Sequence, residues 1–162
     1  MMQTQNYQSN SNGSLHTTNA RLFGALIMFL SALLLSPLSS AADIVVYKSP
    51  TCGCCNDWVS HLEDNGFSVQ VHDRRNMQLI KRKLNVPDKL QSCHTAVIGD
   101  YVVEGHVPAN DIVRLLREKP AVKGISVPGM PMGSPGMEGP RKDNYDVLIF
   151  DETGNTKIYS SY

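Results

Sequence analysis

Ile44-Val45-Val46-Tyr47-Lys48-Ser49-Pro50-Thr51-Cys52-Gly53-Cys54-Cys55 is the stretch whose reading decides the fold. Asp43 to Tyr47 carries a short run of β-branched residues, the mark of a buried strand. Lys48 to Thr51 leaves that strand through a proline-containing turn. The cysteines then open a helical pattern over about Cys54 to Asn65, with Cys55, Trp58, Val59 and Leu62 on one face. Gly66 stops it.

Working outward, Phe67 to Val71 alternates apolar and polar residues, as a half-buried strand does. Asn76 is placed to cap a helix over Met77 to Leu84, which Val86-Pro87 ends. Thr95 to Gly99 and Tyr101 to Glu104 read as strands joined tightly at Gly99-Asp100. Pro108 opens a helix to about Lys119, with Ile112, Val113, Leu115 and Leu116 expected to face inward. Gly124 to Gly139 is so rich in glycine and proline that regular structure is not expected there. A loop of that length is usually functional or disordered. Tyr145 to Phe150 and Lys157 to Tyr159 read as closing strands. The order β-α-β-α-β-β-α predicts an α/β, thioredoxin-like fold: a central mixed sheet flanked by helices, with the cysteine turn between the first strand and the first helix.

The chain has 162 residues, enough for one domain. Lys plus Arg number 15, and so do Asp plus Glu, so no basic face marks a nucleic-acid binder. Met1 to Asn19 is polar, Arg21 follows, and Leu22 to Leu35 is an apolar run of signal-peptide length, short for a spanning helix. Ser36-Pro37 breaks it, and Ser39 to Ala42 supplies small residues suited to cleavage after Ala42 or Ala41. Residues 1–42 are therefore expected to be a signal peptide, or a membrane anchor if uncleaved, and residues 43–162 the folded domain. Membrane contact is expected only through an uncleaved leader.

All four cysteines lie in the domain. Three of them crowd into Cys52-Gly53-Cys54-Cys55, so they cannot staple distant loops, and only Cys93 is remote. A helix N-terminus favours thiolate, the form that both exchanges disulfides and binds metal. Ser92-Cys93-His94-Thr95 precedes the third strand, a place that packs against the Cys-x-x-Cys turn in thioredoxin-like folds. Thioredoxins carry a cis-proline there; here Cys93 and His94 offer a thiol and an imidazole instead. Met130, Met132 and Met137 add thioethers in the glycine-proline loop, which reads as a lid. His106 is a candidate ligand or a group supporting one. His61 and His72 look solvated, and Lys81-Arg82-Lys83 reads as a solvated helix face.

Thiolate, thioether and imidazole together favour Cu(I), with zinc as the less fitting alternative. Adjacent Cys54 and Cys55 do not easily reach one tetrahedral ion together with Cys52. The ligand number instead suits a polynuclear copper site with a bridging sulfur. The competing reading is a thiol–disulfide oxidoreductase using Cys52 and Cys55, with Cys52 as nucleophile.

The stretches 47–55, Ser92-Cys93-His94-Thr95-Ala96, Glu104-Gly105-His106-Val107-Pro108 and Val127 to Glu138 carry a family resemblance. The chain resembles small exported bacterial proteins first described as a domain of unknown function, some of them called copper-resistance protein CopG. The resemblance implies a thioredoxin-like fold, a periplasmic location and copper handling. It also implies that Cys52, Cys54, Cys55 and Cys93 bind copper, with His94, His106 and the three methionines as further candidates. Copper ions are the expected partner. Transfer of copper to another periplasmic copper protein or to a transporter is a third reading, of a passive metallochaperone.

Overall fold

The computed structural model describes residues 42–162. The expected leader lies outside the described residues, except for Ala42. Among the described residues, no helix is long and apolar enough to cross a membrane.

Strand β1 (Asp43–Lys48) buries Ile44 and Val46 completely. The cysteine turn follows, then helix α1 (Gly53–Asp64), which buries Cys55, Trp58, Val59 and Leu62 as the sequence predicts. Gly66, at φ +84°, lets the chain turn back into β2 (Ser68–Asp73). Helix α2 (Met77–Lys83) is capped by Asn76, whose side chain accepts the Leu79 N–H at 3.2 Å. A 3-10 turn (Asp88–Leu90) leads to β3 (Thr95–Ile98). Gly99, at φ +54°, makes the tight turn into β4 (Tyr101–Glu104). Helix α3 (Ala109–Glu118), β5 (Gly124–Ser126), β6 (Asp146–Phe150) and β7 (Thr156–Ser161) complete the chain.

The seven strands form one mixed sheet in the order β2-β1-β3-β4-β5-β6-β7. β1 runs parallel to β2 and antiparallel to β3, and β3 is antiparallel to β4. These directions are those expected of a thioredoxin-like sheet, and β5 to β7 extend it. Residues alternate between sheet faces. Val103 joins one apolar cluster with Trp58, Leu62, Ile112 and Leu115, so α1 and α3 cover its face. Val102 joins the other with Val86, Leu90 and Phe150, so the segment after α2 covers the opposite face.

Four expectations need correction. The glycine-proline segment begins as a strand: β5 pairs parallel with β4 and antiparallel with β6. Gly124 permits this, because a Cβ there would collide with the Val102 carbonyl and lie 2.8 Å from the Phe150 ring. Val113 is 48% exposed, and Asp111 takes an inward position instead. The Asp111 carboxylate is satisfied by the hydroxyls of Ser160 and, at 2.8 Å, Tyr162, which makes its burial tolerable. Lys81 is buried, not solvated. His61 is not simply solvated either, since its Nε2 accepts the Ala109 N–H at 3.1 Å, where Pro108 offers α3 no capping side chain.

Gly124→Ala should lower stability by about 1–3 kcal/mol through overpacking, read as the shift in a urea unfolding midpoint. An unchanged midpoint would mean that β5 does not pack this closely.

Candidate metal centre

The register of β1 on β3 pairs Tyr47 with Thr95. The segments leaving β1 and entering β3 therefore meet at one end of the sheet. Cys55 Sγ lies 3.4 Å from Cys93 Sγ, and Cys52 Sγ lies 3.6 Å from Cys54 Sγ. All four sulfurs lie within 4.8 Å of one another. This convergence is tighter than the adjacency of Cys54 and Cys55 suggested. Cys52 and Cys55 are joined as a disulfide, the pairing that the Cys-x-x-Cys spacing allows, while Cys54 and Cys93 are free.

Cys93 also faces two imidazoles. His94 Nδ1 is 3.3 Å and His106 Nε2 is 3.0 Å from its sulfur. Both rings are fully buried and meet edge to face at 4.9 Å, and Trp58 lies 4.2 Å from His94. His106 Nδ1 is 2.7 Å from the Pro135 carbonyl. A carbonyl only accepts, so Nδ1 carries the proton and the Nε2 lone pair faces the sulfur. A ligand imidazole anchored by a backbone carbonyl has this arrangement. His94 Nε2 is buried with no hydrogen-bond partner. The ring therefore meets the cluster through Nδ1, which lies 3.3 Å from the Cys93 sulfur.

Burial holds the His94 ring well below its ordinary value of 6.5, and nearby His106 and Lys81 push the same way. Burial lowers His106 also, against the Pro135 carbonyl and Glu138. Both rings are thus neutral, as metal ligands must be. Burial, reinforced by Cys54, pushes the Cys93 thiol up to about 12. Metal-free Cys93 is therefore a thiol, and a metal would have to displace its proton.

The glycine-proline loop closes over one side of this group. A Cβ on Gly136 would lie 2.6 Å from the Cys54 carbonyl and 2.7 Å from the Trp58 backbone nitrogen, so the loop backbone rests on the first two turns of α1. Gly129 N–H donates to the Gln91 carbonyl at 3.2 Å, and Ser92 Oγ donates to the Gly129 carbonyl. Internal bonds between Gly133 and Met137, and between Met137 and Ser134, hold the loop's shape. Met130 is 53% exposed, and Met132 and Met137 are half-buried. Met132 turns its terminal methyl toward Gly139.

With the Cys52–Cys55 pair reduced, the donor set fits a soft ion: four sulfurs and two neutral imidazoles, with hard carboxylates absent from the two groups formed by the described residues. Copper satisfies that chemistry. Comparison with solved structures agrees. The chain is 47% identical to a structure titled "Copper resistance protein copG- Form 2", covering 76% of this chain and 99% of that one, with a TM-score of 0.73. A second structure, "Copper resistance protein copG- Form 1", gives 47% identity, 76% and 98% coverage, and a TM-score of 0.72. The chain belongs to the CopG family of copper resistance proteins. A family described as "Protein of unknown function, DUF411" also matches residues 90–137. No curated protein matches. The CopG-family assignment and the cysteine cluster together support copper binding.

Sequence reading missed Lys81 and Glu104, which bond around Ser92 and Thr95 behind the cluster. Nothing local signals them, because each is recognisable only through the other.

A histidine held below its ordinary value stays neutral in the fold while the unfolded chain takes up a proton below 6.5. The contribution of His94 and His106 to stability is therefore whole above pH 6.5 and is lost progressively as pH falls from there toward their lower folded values. An NMR titration of metal-free protein should find His94 still neutral at about pH 6. A midpoint at or above the ordinary value would mean a solvated ring.

Proposed function

We propose that the protein is exported to the periplasm and binds copper as its cargo at Cys52, Cys54, Cys55 and Cys93. His94 and His106 complete the donor set on the Cys93 side, and Met130, Met132 and Met137 serve as loop thioethers. Its role is copper resistance. The carrying observation is the mutual approach of four sulfurs within 4.8 Å, joined at Cys93 to two imidazoles. Cys93 belongs to both groups, which supports a bridging sulfur and more than one ion. Neutral rings and displaceable thiol protons suit Cu(I) at neutral pH.

The Cys52–Cys55 disulfide supports a redox-active site. Reduction of the Cys52–Cys55 disulfide to two thiols takes two electrons, supplied by two Cu(I) that become Cu(II), and two protons from solvent; the reverse re-forms the S–S bond. The same disulfide favours a second reading, a thiol–disulfide oxidoreductase with Cys52 as nucleophile. Cys52 stands at the N-terminal end of α1, where thiolate is favoured, while Cys55 is wholly buried.

Reduced protein titrated anaerobically with Cu(I) should take up more than one equivalent, and Cys52→Ala should lower the uptake. Uptake of one equivalent or none, with Cys52→Ala lacking effect, sinks the copper reading. Strong insulin reduction by metal-free protein would favour the oxidoreductase.

A further inference from the structure

Lys81 is 2% exposed and Glu104 is fully buried. They form an ion pair on the sheet face opposite Trp58. Glu104 Oε1 accepts the Ser92 N–H at 2.6 Å as well as the Lys81 ammonium. Its Oε2 accepts the Thr95 hydroxyl at 2.6 Å, and Lys81 donates to that same hydroxyl oxygen at 3.0 Å. Ser92 and Thr95 are the residues immediately before and after Cys93-His94. One carboxylate thus grips the chain on both sides of two candidate ligands. The backbone repeats the attachment, with Gly105 N–H donating to the His94 carbonyl at 3.1 Å. Glu104 is also two residues from His106.

Stability alone does not account for this arrangement. A buried ion pair commonly contributes no more than well-packed apolar residues of the same volume. What apolar residues could not supply is two directed acceptors at fixed positions.

We propose that Glu104, oriented by Lys81 and Thr95, is a positioning residue that holds Cys93 and His94, and through Gly105 His106, in place for copper. This rests on the copper-binding reading above. Groups that orient metal ligands from behind typically alter affinity by about 10- to 100-fold when removed.

The test compares Thr95→Val, which removes the bridging hydroxyl at nearly constant shape, with Thr95→Ser, which keeps it. Lys81→Met/Glu104→Gln removes both charges together. Cu(I) affinity is read by anaerobic chelator competition on protein expressed from its full sequence. The rate at which a thiol reagent modifies Cys93 is read on metal-free protein in a Cys54→Ser background. Thr95→Val should weaken Cu(I) by about 10- to 100-fold and change the Cys93 rate, with Thr95→Ser close to the parent in both. Equal behaviour of the Val and Ser variants, or Val behaviour like the parent, overturns the proposal. Should the double variant fail to fold, the Thr95 pair still decides. Failure of the parent to bind copper would sink the copper reading, and the Cys93 rates would then settle the positioning role by themselves.

Discussion

Antiparallel pairing of β1 with β3 in the Tyr47–Thr95 register is the constraint on which the site depends. The two cysteine-bearing segments are far apart in sequence, and neither could assemble the cluster alone. The pairing brings the exit of one strand to the entrance of the other, so Cys55 and Cys93 come within 3.4 Å. A slip of one residue would send Thr95 to the opposite face and carry Cys93 away. The register is fixed by burial on both faces of the sheet, which is why an apolar strand such as Ile44 to Val46 matters to a polar site.

Disulfide formation and the proposed copper ligation compete for the same two sulfurs, Cys52 and Cys55. With Cys52 bonded to Cys55, the free thiols are Cys54 and Cys93. Two electrons and two protons convert the pair to thiols and double that number. Ligand count is therefore tied to the redox state of the pair. The imidazoles are not tied to it, since burial keeps them neutral and His106 is oriented by a backbone carbonyl.

Much of this was legible in the sequence, because strands, caps and turns are local. The strand–turn–helix around Cys52, the buried face of α1, the Asn76 cap and the Gly99 turn all follow from nearby residues. So did the meeting of Cys93 and His94 with the cysteine turn, once a thioredoxin-like order was inferred, whereas His106 was a candidate that the order did not place there. The failures are places where distant partners override local preference. β5 is a strand because β4 and β6 supply its hydrogen bonds, although its composition reads as loop. Asp111 displaces Val113 from the interior because β7 and the C-terminus bring Ser160 and Tyr162 to it.

Lys81 is the sharpest of these cases. Beside Arg82 and Lys83 it has the pattern of a solvated face, and burying an ammonium without a partner is prohibitive. Its partner is 23 residues away, on the strand that leads directly to His106. Burial raises the Glu104 carboxyl, while Lys81, Thr95 and Ser92 pull it back. The carboxylate is thus held by the groups it positions, and each is held by it in turn. Such mutual dependence is costly to assemble and hard to vary one residue at a time. Its location behind Cys93-His94, rather than anywhere else in the core, ties that cost to the placement of the two proposed ligands.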